Sequence, residues 1–326
     1  MTEKLISIII PAYNCADTLE RAVDSIDNDN AEIIIVENGS EDNTFEVAKL
    51  LSEKHSNVKL YTSSKGVSNA RNKGIQESKC DRLMFLDSDD FFCPGTVEYV
   101  LEHCKSDLSI YSYKVNDSTI RLFDKNEKFT GDYLLRLANR MMMFPTNYLT
   151  VWGKVFDTKL IKSNGLRFDD KLRLSEDSLF MVQFLRLCDS ISGYKKEIYN
   201  YTLSNDSAVH RFNDKTSEDY LLSLSKVRKF VFSDYQELKA SYYLYGLMQL
   251  NLIGVHGIFD RGNSKNFLEK TSDLRTITKN VLIKECINNV RFADMKSIKF
   301  IAIIFIKLRL NLIAGIIFTL RNRFSF

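Results

Sequence analysis

Cysteine is scarce and scattered in this chain of 326 residues. No two cysteines have the close spacing of a zinc site or of a small disulfide scaffold. No signal-peptide pattern precedes the first strand-like run, so we expect a reduced, cytoplasmic setting. The cysteines are Cys15, Cys80, Cys93, Cys104, Cys188 and Cys286.

Long apolar runs and a strong net charge are also missing. In the apolar C-terminal segment, the longest uncharged stretch is 310–320, which is too short to span a bilayer. We therefore do not expect a processive polymerase with its own export channel.

The net charge is +3, and the six cations after Met295 leave −3 for the rest of the chain. Because a nucleic-acid binder needs a basic face, we expect no nucleic-acid partner.

The first third of the chain alternates apolar runs with helical patterns. The strand-like runs are 5–10, 32–36, 58–61 and 82–86. Apolar strands joined through helices predict right-handed crossovers and a mostly parallel sheet that is covered on both faces. The predicted fold class is therefore α/β, and the pattern over 216–286 adds a helical C-terminal region.

Polar clusters follow three of these strands, at 11–14, 37–38 and 87–90. Because ligands bind beyond the carboxyl ends of parallel strands, we expect the three clusters to converge on one site. The carboxylates of 87–90 suit Mg²⁺ or Mn²⁺ held against a diphosphate. A solvated acidic turn is the alternative, since turns after strands are often acidic.

Four segments resemble, in order and spacing, the signature of glycosyltransferase family 2. They are SIIIPAYN (7–14), IIIVENGSEDNT (33–44), GVSNARNKGI (66–75) and FLDSDDFFCPGT (85–96). The resemblance covers about residues 5 to 210. It implies the GT-A fold, which is Rossmann-like with a mostly parallel central sheet and flanking helices. It also implies transfer of a sugar from a nucleotide sugar, usually a UDP-sugar, with inversion at the anomeric carbon.

This resemblance divides the chain into three parts. Residues 1–212 are expected to form the GT-A domain, with a nucleotide-sugar half at about 1–115 and an acceptor half at about 116–212. Residues 213–294 are expected to form the helical C-terminal region. Residues 295–326 are expected to form a basic amphipathic tail.

On the donor side, the resemblance places the nucleoside against the end of the first strand. Glu37 and Asn38 stand where the family commonly has two Asp residues, and the second of these accepts a hydrogen bond from the uracil imide. The Asn38 amide oxygen could still accept that bond, so uridine remains favoured. Arg71 resembles a nucleotide-contacting arginine, with a salt bridge to a neighbouring acid as the alternative. The implied donor-binding residues are Pro11, Ala12, Tyr13, Glu37, Asn38, Arg71, Asp87, Ser88 and Asp89.

The resemblance also implies a bound Mn²⁺ or Mg²⁺ ion. It puts Asp87 near the ribose and Asp89 on the metal, with Asp90 behind them or as an alternative ligand. The segment 198–210 resembles a loop that closes over the diphosphate, in which Ser207 and His210 are candidate phosphate or metal contacts. The metal would neutralise the departing diphosphate, so no protein acid need protonate it.

Glu176 and Asp177 match the acidic motif on the acceptor side of the family. Ser175 before them is a plausible helix cap, and acids at a helix start are otherwise common partners of the helix dipole. The resemblance makes Asp177 the candidate catalytic base, and Glu176 would orient the acceptor or the loop. Trp152 could stack on a sugar and Lys154 could meet phosphate or an acceptor hydroxyl, although core packing explains Trp152 equally well.

The C-terminal segment 296–323 combines apolar residues with most of its cations in one helical sector. We expect an interfacial helix on an anionic membrane, with helix–helix packing or a dimer surface as the alternative. The protein would then be peripherally associated with the inner face of the cell membrane. Its acceptor would be a lipid-linked oligosaccharide of a surface polysaccharide such as capsule or O-antigen, and its C-terminal helices could form a homo-oligomer.

Two functions of other classes remain alternatives. One is a non-catalytic nucleotide-sugar-binding subunit, against which the intact Asp87, Asp89 and Asp177 argue. The other is a nucleotidyltransferase, which would need a Gly-rich loop bearing Lys or Arg after the first strand. PAYNCADT, at 11–18, offers no such loop.

Overall fold

The computed structural model describes residues 5–116, 118–203 and 213–324. The chain divides into two units by its contacts. The first unit comprises Met1–Leu137 and Thr150–Leu203, and the second comprises Ala138–Leu149 and Ser204–Phe326.

The strands found in the described residues join in one mixed sheet of the first unit. Its order is β3-β2-β1-β4-β9-β6-β10-β5, while β7 pairs with β6 and β8 with β10. The pairs β3–β2, β2–β1, β1–β4 and β6–β10 are parallel, whereas β9 runs antiparallel to both β4 and β6. The strands are β1 (Ile6–Ala12), β2 (Ala31–Glu37), β3 (Val58–Thr62), β4 (Arg82–Phe85), β5 (Phe91–Phe92), β6 (Leu108–Val115), β7 (Ser118–Ile120), β8 (Glu127–Thr130), β9 (Lys154–Asp157) and β10 (Ser190–Tyr201).

Crossover helices connect the parallel strands, as the alternating pattern predicts. Every residue of β1 and β2 is buried, which explains why both strands are almost continuously apolar. The α-helices are α1 (Leu19–Asp24), α2 (Thr44–Lys54), α3 (Val67–Glu77), α4 (Thr96–His103), α5 (Gly131–Met143), α6 (Pro145–Tyr148), α7 (Thr158–Ser163), α8 (Glu176–Leu187), α9 (Thr216–Asp234), α10 (Lys239–Leu252), α11 (Phe267–Lys279), α12 (Val281–Asn289), α13 (Ile301–Lys307) and α14 (Asn311–Phe324).

Helix α3 lies unusually close to β1. A Cβ atom added to Gly74 would come within 2.4 Å of Ile9 Cγ2, so a larger residue would require Ile9 or the helix to shift. The close approach fixes α3, and with it Arg71, against the carboxyl end of the central strands.

The second unit is helical, as predicted for 216–286. A π-helix (Ile253–Ile258) follows α10, and the Asn322 side chain donates hydrogen bonds to the carbonyls of Val255 (2.9 Å) and Phe259 (2.8 Å). These bonds fasten α14 to the rest of the unit.

The prediction of one interfacial helix over 296–323 is wrong in its geometry. The segment contains a 3₁₀ turn (Ile298–Phe300), then α13 and α14, and the chain turns between the two helices because Arg309 is left-handed at φ +64°. Three cations of the predicted basic sector donate to protein groups instead of facing outward. They are Lys299 (to Thr146 Oγ1), Lys307 (to the Ile287 carbonyl) and Arg321 (to Asn251 Oδ1).

An apolar face of α14 is nevertheless exposed. Leu312, Ile313, Ile316 and Leu320 are each 39–50% exposed, and they fall on one side of the helix. No helix in the described part of the chain has both the length and the apolar character needed to cross a membrane.

Candidate active site

The loops after β1 and β2 are bound to each other at the carboxyl edge of the sheet. The Asn38 amide donates to the Ala12 carbonyl (3.1 Å), and the Asn14 amide donates to Ser40 Oγ (3.1 Å). In return, Asn14 Oδ1 accepts from the Glu41 amide (2.8 Å), and Asn14 is left-handed at φ +48°. The two polar clusters predicted to meet therefore form one connected edge.

Glu37 and Asn38 do different things at this edge. Glu37 Oε1 accepts from the amides of Gly39 (2.8 Å) and Ser40 (2.5 Å), so this carboxylate shapes the turn that follows β2. Asn38 is 3% exposed, and its Oδ1 atom is buried without a hydrogen-bond donor among the described residues. A buried acceptor without a donor is costly, so Asn38 presents an open acceptor position in this edge.

The remaining residues at the β1 end differ in exposure. Pro11 and Ala12 are buried within the strand, whereas the Tyr13 ring is half-buried beneath the ammonium of Lys65, 4.7 Å from the ring centroid. Ser88 comes from the acidic loop after β4 and hydrogen-bonds Cys15, whose thiol pKa is raised by burial.

Arg71 joins the donor-side and acceptor-side motifs in one charged cluster. Its Nη2 lies 3.0 Å from Asp87 Oδ1, and its Nη1 lies 2.9 Å from Glu176 Oε1 and 2.7 Å from Asp177 Oδ1. The arginine side chain is 4% exposed, and its Nε finds no acceptor among the described residues. The ion pairs that were the alternative for Arg71 are thus present, and those with Glu176 and Asp177 connect residues more than 100 positions apart.

Burial dominates the electrostatics of this cluster. It disfavours the charged form of Arg71, but Asp177, Asp87 and Glu176 together raise the arginine pKa above its ordinary value. Burial, and next the neighbouring Asp177 charge, raise the pKa of Glu176 to about 7. Burial also raises the pKa of Asp177, while the Arg71 guanidinium limits that rise.

Helix α8 positions Glu176 and Asp177 at its first turn. Ser175 is the N-cap residue, as predicted, but it is left-handed at φ +58° and its side chain makes no capping hydrogen bond. The predicted cap position is therefore confirmed, although a left-handed Ser175 has different backbone geometry from a standard N-cap. Asp177 Oδ2 accepts instead from the Val151 amide (3.1 Å), which comes from the turn before β9.

The acidic loop after β4 is held by residues that the sequence analysis did not identify. The Tyr199 hydroxyl accepts from the Asp87 amide (3.2 Å) and donates to Asp90 Oδ2 (2.7 Å). Arg21 of α1 donates to the Asp89 carbonyl (2.5 Å). Tyr199 lies 112 residues from Asp87, so no local pattern could have indicated this contact. The expected loop over 198–210 is wrong for residues 198–201, which form the end of β10.

Asp90 faces the protein. It is completely buried, and its second oxygen accepts from the Thr202 amide (2.7 Å). Burial, and next the Asp87 charge, raise the Asp90 pKa to about 8. Because both oxygens have protein donors, Asp90 supports the loop rather than facing a ligand.

The donor groups around Asp89 fit a divalent cation that is shared with a diphosphate. Its half-buried carboxylate receives no hydrogen bond from another described residue, and burial followed by the Asp87 charge raises its pKa. Within 5–116, 118–203 and 213–324, no three His, Cys, Asp or Glu side chains are placed to hold a metal by themselves. One or two carboxylates completed by phosphate oxygens are a usual Mg²⁺ arrangement, and Asp89 with Asp87 would supply them.

Trp152 and Lys154 lie inside the unit. The Trp152 ring stacks on Tyr199 (centroids 4.8 Å apart) and on Tyr201 (5.6 Å), and it is 8% exposed. Lys154 is 2% exposed, and its Nζ donates to Thr150 Oγ1 (3.2 Å) and to the Trp152 carbonyl (3.3 Å). The predicted phosphate or metal contacts Ser207 and His210 lie outside the described residues.

Comparisons with known proteins agree with this fold. The glycosyl transferase family 2 model matches residues 7–163. Poly(ribitol-phosphate) beta-N-acetylglucosaminyltransferase TarP of Staphylococcus aureus is 26% identical over 283 residues, which are 81% of this chain and 82% of TarP. Cholesterol galactosyltransferase of Borreliella burgdorferi is 26% identical over 267 residues, which are 73% of this chain and 72% of that enzyme.

Among solved structures, residues 1–349 of S. aureus TarS in complex with UDP-GlcNAc have a similar fold. The TM-score is 0.68 with 18% identity, and the match covers 98% of this chain and 92% of that one. The predictions of the α/β GT-A fold and of a glycosyltransferase are therefore confirmed. The chain is a glycosyltransferase, and its residues 7–163 match the family 2 model.

Proposed function

We propose that this enzyme transfers a sugar from a UDP-sugar to a surface-glycan acceptor by a single, inverting displacement. The observation that carries the proposal is the Arg71 cluster. One buried guanidinium contacts Asp87, at the donor edge of the sheet, and also the Glu176–Asp177 pair on α8. A base on the acceptor hydroxyl would thus stand close to the donor, as an in-line displacement requires.

The open acceptor at Asn38 supports uridine as the base. The uracil imide N–H is a hydrogen-bond donor, and Asn38 Oδ1 has no donor from the described residues. The structural relative TarS has been solved with UDP and with UDP-GlcNAc. Pro11, Ala12, Tyr13, Glu37 and Ser88 would surround the nucleoside in this proposal.

Asp177 is the proposed catalytic base. Arg71 and the Val151 amide each donate a hydrogen bond to one of its oxygens. Since an ionised carboxylate has about four lone-pair positions, a free position remains to take the proton of the acceptor hydroxyl. The acceptor oxygen forms its bond to the anomeric carbon while the bond from that carbon to the diphosphate oxygen breaks. The acceptor proton moves to Asp177, and UDP leaves with the bonding electrons. Glu176, with its pKa near 7, can orient the acceptor through a hydrogen bond in either protonation state.

Asp89, together with Asp87, would hold Mn²⁺ or Mg²⁺. When bound, the metal supplies positive charge to the diphosphate as negative charge develops there. Arg71 adds a fixed cation on the same side of the site.

The proposed acceptor is a lipid-linked oligosaccharide at the inner face of the cell membrane. The exposed apolar side of α14 would rest on the bilayer, and the exposed Arg309 beside it would attract anionic lipid. The relatives include one enzyme named for poly(ribitol-phosphate) and one named for cholesterol.

Vesicle sedimentation tests the membrane surface with the full chain. Ile316→Glu should remove binding to phosphatidylglycerol vesicles, whereas the matched control Val281→Glu, at an exposed apolar position on α12, should retain it. Equal binding by both variants would exclude this face as the membrane surface. A wild type that is dimeric, does not bind vesicles and becomes monomeric in Ile316→Glu would assign the face to a second copy instead.

Release of UDP tests the activity itself. A panel of UDP- and GDP-sugars is incubated with Mn²⁺, with and without EDTA, for the wild type, Asp89→Ala and the exposed control Asp81→Ala. We expect one UDP-sugar to be turned over by the wild type and by Asp81→Ala, and turnover to be lost with EDTA and in Asp89→Ala. Silence across the panel in the presence of a detergent-solubilised lipid acceptor would contradict the proposal and favour a non-catalytic subunit.

A further inference from the structure

Strand β9 begins with a buried lysine that has no ion pair among the described residues. Lys154 is 2% exposed, and no carboxylate of the described residues lies within salt-bridge distance of its Nζ. A buried ammonium without a paired charge is costly, and burial lowers the Lys154 pKa to about 7 although Asp177 opposes this change. An apolar residue of similar length would avoid that cost, so packing alone does not account for a lysine here.

The hydrogen bonds of Lys154 reveal what it holds. Its Nζ donates to Thr150 Oγ1 and to the Trp152 carbonyl, and these two residues flank Val151 on either side. The Val151 amide is the group that donates to Asp177 Oδ2 (3.1 Å). Gly153, at φ +68°, allows the chain to reverse so that Lys154 can reach back to this turn.

The same turn also contacts Tyr199, which holds the acidic loop after β4. Trp152 stacks on Tyr199, and the Tyr199 hydroxyl binds the Asp87 amide and the Asp90 carboxylate. The short segment Thr150–Lys154 therefore contacts both Asp177, the proposed base, and Tyr199, which holds the acidic loop at the donor edge.

We propose that Lys154 is a positioning residue that fixes the Val151 amide against Asp177 and so sets the place of the catalytic base relative to the donor loop. This inference rests on the proposed function only in the role given to Asp177. It assigns Lys154 no contact with the acceptor or with phosphate, because its ammonium lies inside the unit.

Lys154→Met tests the inference, with Lys159→Met as the control. Lys159 is an exposed lysine on α7. Met has a similar length and no donor, and replacing a buried charge with an apolar side chain is commonly neutral or stabilising. We expect Lys154→Met to unfold at a temperature equal to or above that of the wild type, while kcat for UDP release falls by about tenfold to a hundredfold with the donor KM little changed.

A conservative replacement and the pH profile add independent readouts. Lys154→Gln keeps two N–H donors and should recover part of the lost kcat. The charged groups that face Asp177 are Arg71 on α3, Glu176 on α8, Asp87 after β4 and Lys154 on β9. Lys154→Met removes one of the two cations in this set. The acid limb of the pH profile of kcat/KM should therefore move to higher pH.

A spectroscopic readout separates this inference from the proposed function. In protein labelled with ¹⁵N-valine, the Val151 amide resonance is assigned through its shift in Asp177→Asn. It should also shift or broaden in Lys154→Met and stay unchanged in Lys159→Met, whether or not any donor is turned over. Wild-type kcat in Lys154→Met, an unmoved Val151 resonance, or a joint loss of activity and thermal stability that Gln does not restore would overturn the positioning role.

Discussion

Replacing Arg71 with methionine would remove the buried cation shared by three carboxyl groups, whose side chains are 13–27% exposed. The guanidinium contacts Asp87, Glu176 and Asp177 at 2.7–3.0 Å and is 4% exposed. At an effective dielectric constant of about 20, each such contact is worth about 6 kcal/mol before desolvation is subtracted. Breaking a buried pair by removing one partner costs about 3–5 kcal/mol net, which is the loss expected for Arg71→Met at pH 8.

The loss should depend on pH with a definite sign. Without Arg71, burial and mutual repulsion raise the folded-state pKa values of Glu176 and Asp177 further above their unfolded values. Glu176 is already at about 7 in the wild type. A group with a raised carboxyl pKa destabilises the fold above that pKa, and the cost disappears as pH falls and the group takes up a proton. The difference between wild type and variant should therefore be largest at pH 8 and smaller at pH 5.5.

Tryptophan fluorescence during urea unfolding measures this directly. Trp152 is the single tryptophan of the chain and lies buried in the first unit, so its emission reports that unit alone. The control is Arg82→Met, which removes a partly exposed ion pair with Asp157 and should cost no more than about 1 kcal/mol. The electrostatic explanation of the cluster would be refuted if Arg71→Met lost less free energy of unfolding than the control Arg82→Met. It would also be refuted if the loss for Arg71→Met were equal at pH 8 and pH 5.5.

Three further predictions concern single contacts. Asp90→Asn removes a carboxyl whose pKa is about 8. Between pH 6 and pH 9 the free energy of unfolding of the wild type should therefore fall by about 2–3 kcal/mol more than that of the variant, as measured by urea unfolding. An equal change of the free energy with pH in both proteins would contradict this. Asn38→Ala should raise the KM for the UDP-sugar about tenfold with little change in kcat, because it removes one hydrogen-bond acceptor. Asn38→Asp keeps an acceptor oxygen and should have a KM close to that of the wild type. A loss confined to kcat in Asn38→Ala would argue against a base contact. Gly74→Ala should destabilise the first unit by about 1–3 kcal/mol, because its Cβ would collide with Ile9, and an unchanged unfolding midpoint would show that α3 can move away from β1.

The sequence was sufficient for the parallel core of the sheet. β1 to β4 follow from apolar runs of strand length, and α8 begins directly after Ser175, the predicted cap. These elements form through local patterns, and their order along the chain places the polar loops at one edge of the sheet.

The antiparallel additions and the contacts within the site were not accessible in this way. β9 inserts between β4 and β6 through pairing with distant segments, and Tyr199 reaches Asp90 across 109 positions of sequence. A single sequence gives no signal for which distant side chains meet. The direction of Lys154 depends on the turn at Gly153, and the helical pattern of 296–323 did not reveal the left-handed Arg309.

The anomeric configuration of the first-formed sugar tests the central claim most directly. Proton NMR follows hydrolysis of the α-linked UDP-sugar that the enzyme accepts, with water in the place of the acceptor, for the wild type, Asp177→Asn and the exposed control Asp170→Asn. We expect wild type and control to release the β anomer first, and Asp177→Asn to bind UDP normally but lose at least about a hundredfold in rate. Release of the α anomer first, or turnover by Asp177→Asn at the wild-type rate, would contradict an inverting displacement with Asp177 as its base.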